Sequence, residues 1–337
     1  MPTKEQLYLS FLFVSLFITI ILTLSFSKPE TSEKYMTKET NRIAMLCDST
    51  SLTIDDKKLG NEGIDGIDIL PLPPLNNKSI HLEPENWLKL TFNIFKIYSN
   101  YDSFIVVQNV ENIPYLASAL TFMLENLNKP IILTDNKPNH ISNAILLATG
   151  YSIPEIVVVS NNLFYRGCQT TIIGQKSLIS LFPPLGKVIN SKIKINEEII
   201  LESPKEPLKF IPLNMENKVV KITLFPGITH NYLIGAVKGG NVDGIVLEMK
   251  GNEELDKPFL EALKIMLQDG VFIASNSSSE ESQKLGIISN LKMTIESIFV
   301  KLYFLISNVK KLDLTLLDKL MRINMRGEIK DYKPIKK

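Results

Sequence analysis

Apolar positions along the chain fall into short unbroken runs, separated by longer segments whose apolar residues recur at helical spacing. Residues 43–47 are such a run and predict a strand. Residues 84–98 predict a helix: Pro84 suits its first turn, and Trp87, Leu88, Leu90, Phe92, Ile94 and Phe95 supply apolar faces. The same reading gives a strand over 103–107, a helix over 113–127, a strand over 130–134, a helix over 142–149 and a strand over 155–159. Strands that are apolar throughout, alternating with helices, indicate a parallel sheet covered on both faces. Residues 194–217 are charged, hold three prolines and lack a clear period, so they read as a connector. Beyond it, strands are expected over 219–224, 244–248 and 271–274, and helices over 258–268, 293–307 and 314–325. The predicted architecture is α/β with two domains, a larger one over 42–193 and a smaller one over 218–330.

The N-terminal pattern is of another kind. Residues 7–27 carry no charge over 21 positions and are dense in Leu, Phe and Ile. As a helix this run would span about 31 Å, enough to cross a bilayer core. It predicts a single-pass membrane anchor over 1–28, followed by a polar linker over 29–41. A cleaved secretory signal is the rival, with Ser25 and Ser27 flanking the cleavage point, although such apolar regions usually run to about 7–15 residues. Lys28, Lys34, Lys38 and Arg42 follow the run while Lys4 stands before it, which favours a body facing the cytoplasm. Asn77-Lys78-Ser79 and Asn276-Ser277-Ser278 are glycosylation-type triplets that favour the lumen, so the side stays open.

Charge and composition narrow the function. The 37 basic and 36 acidic residues of the 337 leave a formal charge of +1. With basic residues interspersed among acidic ones, nucleic acid is not an expected partner. Cys47 and Cys168 are too few for a disulfide framework or a cysteine-built zinc site, and His81, His140 and His230 lack metal-ligand spacing. A reactive set of these thiols with His140 has no motif behind it. Glycine-rich phosphate loops are absent. Glycine itself is scarce: 16 residues, where average usage of about 7% would give roughly two dozen.

Several blocks together resemble the bacterial-type L-asparaginases, particularly the cytosolic (type I) branch and its animal relatives. They are Tyr-Asp-Ser-Phe-Ile-Val-Val at 101–107, Ala-Ser-Ala-Leu-Thr-Phe-Met-Leu-Glu-Asn-Leu-Asn-Lys-Pro at 117–130 and Leu-Phe-Pro-Gly-Ile at 224–228. Met-Thr-Ile-Glu at 293–296 with Lys301-Leu302, and Asn-Met-Arg-Gly-Glu at 324–328, complete the set. The resemblance implies a larger flavodoxin-like N-terminal domain and a smaller parallel C-terminal one, and subunits that assemble into dimers or dimers of dimers. It implies hydrolysis of asparagine to aspartate and ammonia without metal or organic cofactor, by two threonines assisted by an Asp and a Lys.

Amide hydrolysis of this kind needs an attacking hydroxyl, a group that takes its proton and donors for the oxyanion. Where the family has Gly-Gly-Thr after its first strand, this chain has Ser49-Thr50-Ser51. Ser51 is therefore the retained hydroxyl and the nucleophile candidate; an ordinary polar turn is the alternative. Where the family has His-Gly-Thr-Asp-Thr, the chain has Gln108-Asn109-Val110-Glu111-Asn112. Val110 has threonine's shape without its oxygen, and Glu111 keeps a substrate-binding carboxylate on a longer arm. The family's Thr-Lys pair becomes Thr171-Ile172, which loses the ammonium. Ser79 matches a substrate-binding serine, with a surface serine as the alternative. The loop between Lys137-Pro138 and Asn143 is shortened, and Lys292 stands where an Asp is usual. The glycine-rich turns after Glu248 and around 276–281 are rewritten, which accounts for much of the glycine shortage.

These departures predict an asparaginase-like protein with little or no amidohydrolase activity. It would bind a small asparagine-like amino acid, or assemble as a homo-oligomer or with an active relative. The alternative is a working amidohydrolase in which Ser51 attacks and Glu111 assists.

Overall fold

The computed structural model describes residues 42–47, 66–72, 82–174, 177–180, 182–249, 255–277 and 279–329. In chain order the first elements are β1 (Ile43–Cys47), β2 (Ile67–Pro71), α1 (Pro84–Ile97), β3 (Ser103–Val107), α2 (Ile113–Met123), β4 (Leu124–Glu125), β5 (Ile131–Thr134), α3 (Pro138–Gly150) and β6 (Ile156–Ser160). Next come β7 (Leu163–Arg166), β8 (Thr170–Ile173), β9 (Ser177–Ser180), β10 (Gly186–Ile189), β11 (Lys192–Ile195) and β12 (Lys209–Phe210). The remainder is β13 (Val219–Thr223), α4 (His230–Gly240), β14 (Gly244–Glu248), α5 (Lys257–Gln268), β15 (Phe272–Ser275), α6 (Glu280–Lys284), α7 (Ile295–Asn308) and α8 (Leu314–Arg322).

The expected apolar runs become the centre of an eight-stranded sheet in the order β11-β10-β7-β6-β5-β3-β1-β2. Every residue of β1, β3, β5 and β6 is buried, as expected of strands covered on both faces. Alternate positions Ala44, Leu46, Phe104, Val106, Ile131 and Leu133 share one core with residues of α1, α2 and α7. Their neighbours Ile43, Met45, Ile105 and Ile132 are equally buried, on the face where the side-chain period of two sends them and where α3 packs.

The sheet is mixed rather than wholly parallel. β2, β1, β3, β5 and β6 run parallel, whereas β7, β10 and β11 are added antiparallel. The reason is local. The β6–β7 turn places Asn161 at φ 53°, and the β10–β11 turn places Asn190 and Ser191 at φ 49° and 60°. Two-residue hairpins require such left-handed positions, which asparagine tolerates.

A second sheet, β13-β14-β15, is parallel throughout. Helix α7 packs on this sheet and on α2. Its Thr294 caps the helix by accepting from the Ser297 backbone N–H. The 194–217 stretch is not structureless: Lys209–Phe210 pairs antiparallel with Leu124–Glu125, and Phe210 lies against Phe92 and Phe95.

Residues 166–169, Lys301 and the block at 324–328 meet in one buried polar knot. Lys301 donates to the carbonyls of Met321 (3.1 Å) and Ile323 (2.5 Å) and to Glu328 Oε1 (2.5 Å). Glu328 also accepts the backbone N–H groups of Met325 and Arg326. Both side chains are 0% exposed. Gln169 donates to the Gly327 carbonyl at 2.6 Å, and Arg166 pairs with the buried Glu155. Gly327 sits at φ +85°, where a Cβ would stand 3.0 Å from the Arg166 side chain.

The membrane helix expected over 7–27 finds no support. Residues 7–27 lie outside the described residues, and no helix among the described residues is long and apolar enough to cross a membrane.

Candidate functional site

The C-terminal ends of β1 and β3 hold the turns on which the expected chemistry rests. Cys47, at the end of β1, is buried; Ser51 lies outside the described residues, and so does Ser79. After β3 the chain makes a short 3-10 turn, Val110–Asn112, that leads into α2. Side chains stitch this turn. Gln108 Oε1 accepts from the Asn109 backbone N–H at 2.9 Å, and Asn112 Oδ1 accepts from the Leu82 backbone N–H at 3.1 Å.

Val110 is 8% exposed and joins the main core, so it contributes packing and no oxygen. Glu111, next in the turn, lines a cleft of about 1020 Å³. The cleft is bounded by the start of α1 (Leu82 to Trp87), the turn from Glu111 to Tyr115, the edge of β13 (Asn217 to Lys221), and Phe299 and Tyr303 of α7. Ile172 is elsewhere: it packs against the main core from the β8–β9 hairpin and does not line the cleft. Of the expected site residues, the structure thus places Glu111 in the cleft, Val110 in the core beside it and Ile172 outside it.

The cleft wall carries groups that no spacing in the sequence joins. The rings of Trp87 and Tyr115 stack with centroids 6.0 Å apart, and Phe299 meets both edge-on. Lys221 donates to Glu248 Oε2 at 2.9 Å, and Thr223 donates to the same oxygen at 2.6 Å. The Tyr115 phenol lies near enough to Lys221 for each to act on the other's titration. Burial works against the Lys221 ammonium, but Tyr115 and Glu248 outweigh it and hold its pKa above the ordinary lysine value. Burial, with nearby carboxylates, raises the Tyr115 phenol despite Lys221, so the phenol is a donor and not a base.

Behind this wall, Thr171 donates to Glu296 Oε1 at 2.9 Å. Glu296 is 6% exposed and its Oε2 has no hydrogen-bond partner. Burial raises its pKa, with Glu248 adding to the effect, against the pull of Thr171 and Lys221. Thr171, the surviving half of the expected Thr-Lys pair, is thereby committed to Glu296.

The rival chemistry gains nothing. Asn161 donates its backbone N–H to His140 Nε2 at 2.8 Å, so the imidazole proton sits on Nδ1 and is donated to Asp135 at 2.5 Å. That histidine ties α3 to the β6–β7 turn. Burial pushes the Cys168 thiol far above its ordinary range, which removes it as a thiolate nucleophile. Among the described residues no group of three or more His, Cys, Asp or Glu is placed to hold a metal.

Trp87, Tyr115 and Lys221 were not singled out as site residues by sequence. One signal was present: Lys221 is a charge inside the otherwise apolar start of a strand, Val-Val-Lys-Ile.

Comparison with known proteins agrees with this architecture. The family model "Asparaginase, N-terminal" matches residues 23–201. The L-asparaginase 1 of Escherichia coli (strain K12) is 28% identical over 291 residues, covering 76% of this chain and 82% of that protein. The crystal structure of L-asparaginase I from Vibrio cholerae superposes with a TM-score of 0.73 at 23% identity, covering 86% of this chain and 99% of that one. A structure described as a probable cytoplasmic L-asparaginase from Campylobacter jejuni gives 0.68 at 17%, covering 84% and 99%. The expectation of a membrane-anchored or membrane-localised protein is corrected by these findings. The family match extends into the apolar run from residue 23, a structural relative is described as cytoplasmic, and the described residues hold no membrane-length apolar helix. With the motif blocks, the mixed α/β sheet and the family match all in accord, the chain belongs to the bacterial-type L-asparaginase family.

Proposed function

We propose that this chain binds a small amino acid in the cleft beside Glu111 and hydrolyses amides feebly or not at all. The observation that carries this is Val110: the position matching a family threonine is filled by a hydrocarbon side chain packed in the core. Ile172 supports it, because the position matching the family's lysine holds no ammonium and does not line the cleft. In this reading Glu111 takes the amino acid's ammonium, and Ser79 remains a contributing serine. Losing a nucleophile or base typically costs about 10³- to 10⁶-fold in turnover. The division into a larger domain over 42–193, a connector over 194–217 and a smaller domain over 218–330 is part of the proposal, as is assembly with a second copy or an active relative. The test is ammonia release from asparagine and glutamine by the purified full chain. Turnover in the ordinary enzyme range of about 1–10³ s⁻¹ would overturn it.

A second reading is a working amidohydrolase in which Ser51 attacks and Glu111 assists. It is favoured by one observation, a lysine ammonium beside a hydroxyl, Lys221 with Tyr115, in the cleft that Glu111 lines. Ser51→Ala in a preparation showing turnover decides it: an unchanged rate removes Ser51 as nucleophile.

A further inference from the structure

Strand β13 is an open edge of the three-stranded sheet, and the direction of its backbone groups follows from its ladder. The Lys218 carbonyl accepts from the Gly244 N–H at 3.2 Å, and the Leu224 N–H donates to the Glu248 carbonyl at 2.9 Å. Backbone groups of successive strand residues point to opposite edges, so the even-numbered positions face β14 and Val219, Lys221 and Thr223 face away. Tyr303 closes the odd position before them by donating its phenol proton to the Asn217 carbonyl at 2.9 Å. Among the described residues, nothing bonds the backbone N–H or C=O of Val219, Lys221 or Thr223. The other outer strands of the eight- and three-stranded sheets are blunted. β2 carries Asp68 and Pro71, β11 carries Lys192 and Lys194, and β15 is bridged by Ile288. Lys221 does not blunt β13 in this way, because its ammonium is drawn back to Glu248 on the neighbouring strand at 2.9 Å. Asn217 to Lys221 instead form one wall of the cleft of about 1020 Å³, at the top of the roughly 300–1,000 Å³ range of small-molecule pockets. Phe299 and Tyr303 line that cleft from α7, Ala236 and Gly240 from α4, and Glu83 and Glu85 from the start of α1.

We infer that β13 is a docking edge for an extended, basic peptide segment of another protein, which adds to the sheet as a fourth strand inside the cleft. The outward N–H and C=O groups of Val219 and Lys221 supply main-chain pairing, the source of affinity in strand addition. Val219 packs in the core shared with α7 and Val220 in the one shared with α4. Alternate side chains of the added strand therefore meet Phe299 and Tyr303 on one face and the small residues of α4 on the other. The basic character follows from charge: the α1 rim offers two exposed acidic residues, Glu83 and Glu85, while the one charge within β13, Lys221, is paired with Glu248. The inference goes beyond the amino-acid reading and does not rest on it; no covalent step is involved.

Calorimetric titration of the full chain with synthetic peptides is the test. Acetyl-Lys-Val-Lys-Val-Lys-Val-amide should bind, and its Glu-Val counterpart should bind about tenfold more weakly or worse, because like charge at the rim opposes it. An added strand turns alternate N–H groups towards β13. N-methylation of the basic peptide at all its lysine nitrogens, or at all its valine nitrogens, therefore blocks one edge or the other. One methylated isomer should lose about tenfold or more, the scale of a lost hydrogen bond, and the other should keep its affinity. Lys221→Pro removes an outward donor and no β13–β14 bond, as proline on a sheet edge can, and should weaken the basic peptide about tenfold. Lys221→Met keeps that N–H and should retain binding. The melting temperature reports whether the proline variant still folds, and the methylated pair decides the matter without any variant. Equal tolerance of both methylated isomers would overturn the inference, as would equal binding of the basic and acidic peptides or binding of neither. Titration with L-asparagine reports on the amino-acid reading separately.

Discussion

Lys301→Met is the perturbation whose cost can be worked most directly from the structure. The ammonium is 0% exposed and all three of its donors are used, by two backbone carbonyls and by Glu328. Methionine fills much of the same volume, so the packing change is small and the electrostatic change dominates. What remains is a buried carboxylate held only by the backbone N–H groups of Met325 and Arg326, together with two carbonyls that have lost their shared donor. Removing one partner of a buried pair costs about 3–5 kcal/mol, and about 4 kcal/mol multiplies the unfolded fraction by roughly a thousand. The assay is urea unfolding followed by circular dichroism, with the midpoint expected to fall at an unchanged slope. Adding Glu328→Gln to Lys301→Met removes the orphaned charge and should recover about 1–2 kcal/mol, since the two positions are in contact and their effects do not add. A single-variant cost below about 1 kcal/mol, or no recovery in the double variant, would refute the claim that this ion pair anchors the C-terminal signature.

Three further outcomes are expected. Gly327→Ala should destabilise by about 1–3 kcal/mol in the same assay, because it forces a Cβ both into a left-handed position and 3.0 Å from Arg166. Val110→Thr should cost about 1–2 kcal/mol for a hydroxyl placed in an apolar core, and ammonia release should not rise, because Ile172 still supplies no ammonium. Glu296 gives a pH dependence. Its folded pKa is raised, so above the ordinary glutamate value the unfolded chain has shed a proton that the folded chain keeps. The Glu296 contribution to stability is therefore greatest below that ordinary value and is lost as pH rises through the raised one. Glu296→Gln, which cannot ionise, should gain on the wild type across that window and then level off; a difference flat from pH 4 to 8 would contradict the direction given.

How much of this was readable beforehand depended on whether the deciding contact was local. The strands at Ile43–Cys47, Ser103–Val107 and Ile156–Ser160 announced themselves because burial on both faces leaves a run with no polar position. The helix expected over 113–127 ends at Met123, since Leu124–Glu125 is drawn into pairing with Lys209–Phe210 more than 80 positions away, and no local signal encodes that. The hairpins β7, β10 and β11 were missed because their turns use Asn-Asn and Asn-Ser rather than a glycine pair. Helix α4 was missed because it contains Gly235, Gly239 and Gly240, each a poor helix former. For the site, the family resemblance led to Glu111 and Val110, which lie in one turn. Trp87, Tyr115 and Lys221 come from a helix, a second helix and a strand of the other sheet, so their meeting is a property of the fold alone.

The unequal fate of the family's blocks follows from what each substitution would leave behind. Arg166, Lys301 and Glu328 are charges sealed from water, and changing any one strands its partner at a cost of several kcal/mol, comparable with much of a domain's net stability. The helix α7 that carries Lys301 also packs on α2 and the three-stranded sheet, so damage there would spread through both sheets. Under the proposed function, in which Val110 replaces a threonine, that exchange strands nothing: the Val110 methyl groups pack in the core, and the oxygen would matter only to a reaction. Ile172 is gentler still, because burying hydrocarbon against the core is favourable where an ammonium would have needed a partner. A chain released from the demand to split amides would therefore drift at these two positions while holding its buried ion pairs. In such a chain the terminal Asn324-to-Glu328 segment stays recognisable because it closes the fold, and its presence is evidence about architecture rather than about catalysis.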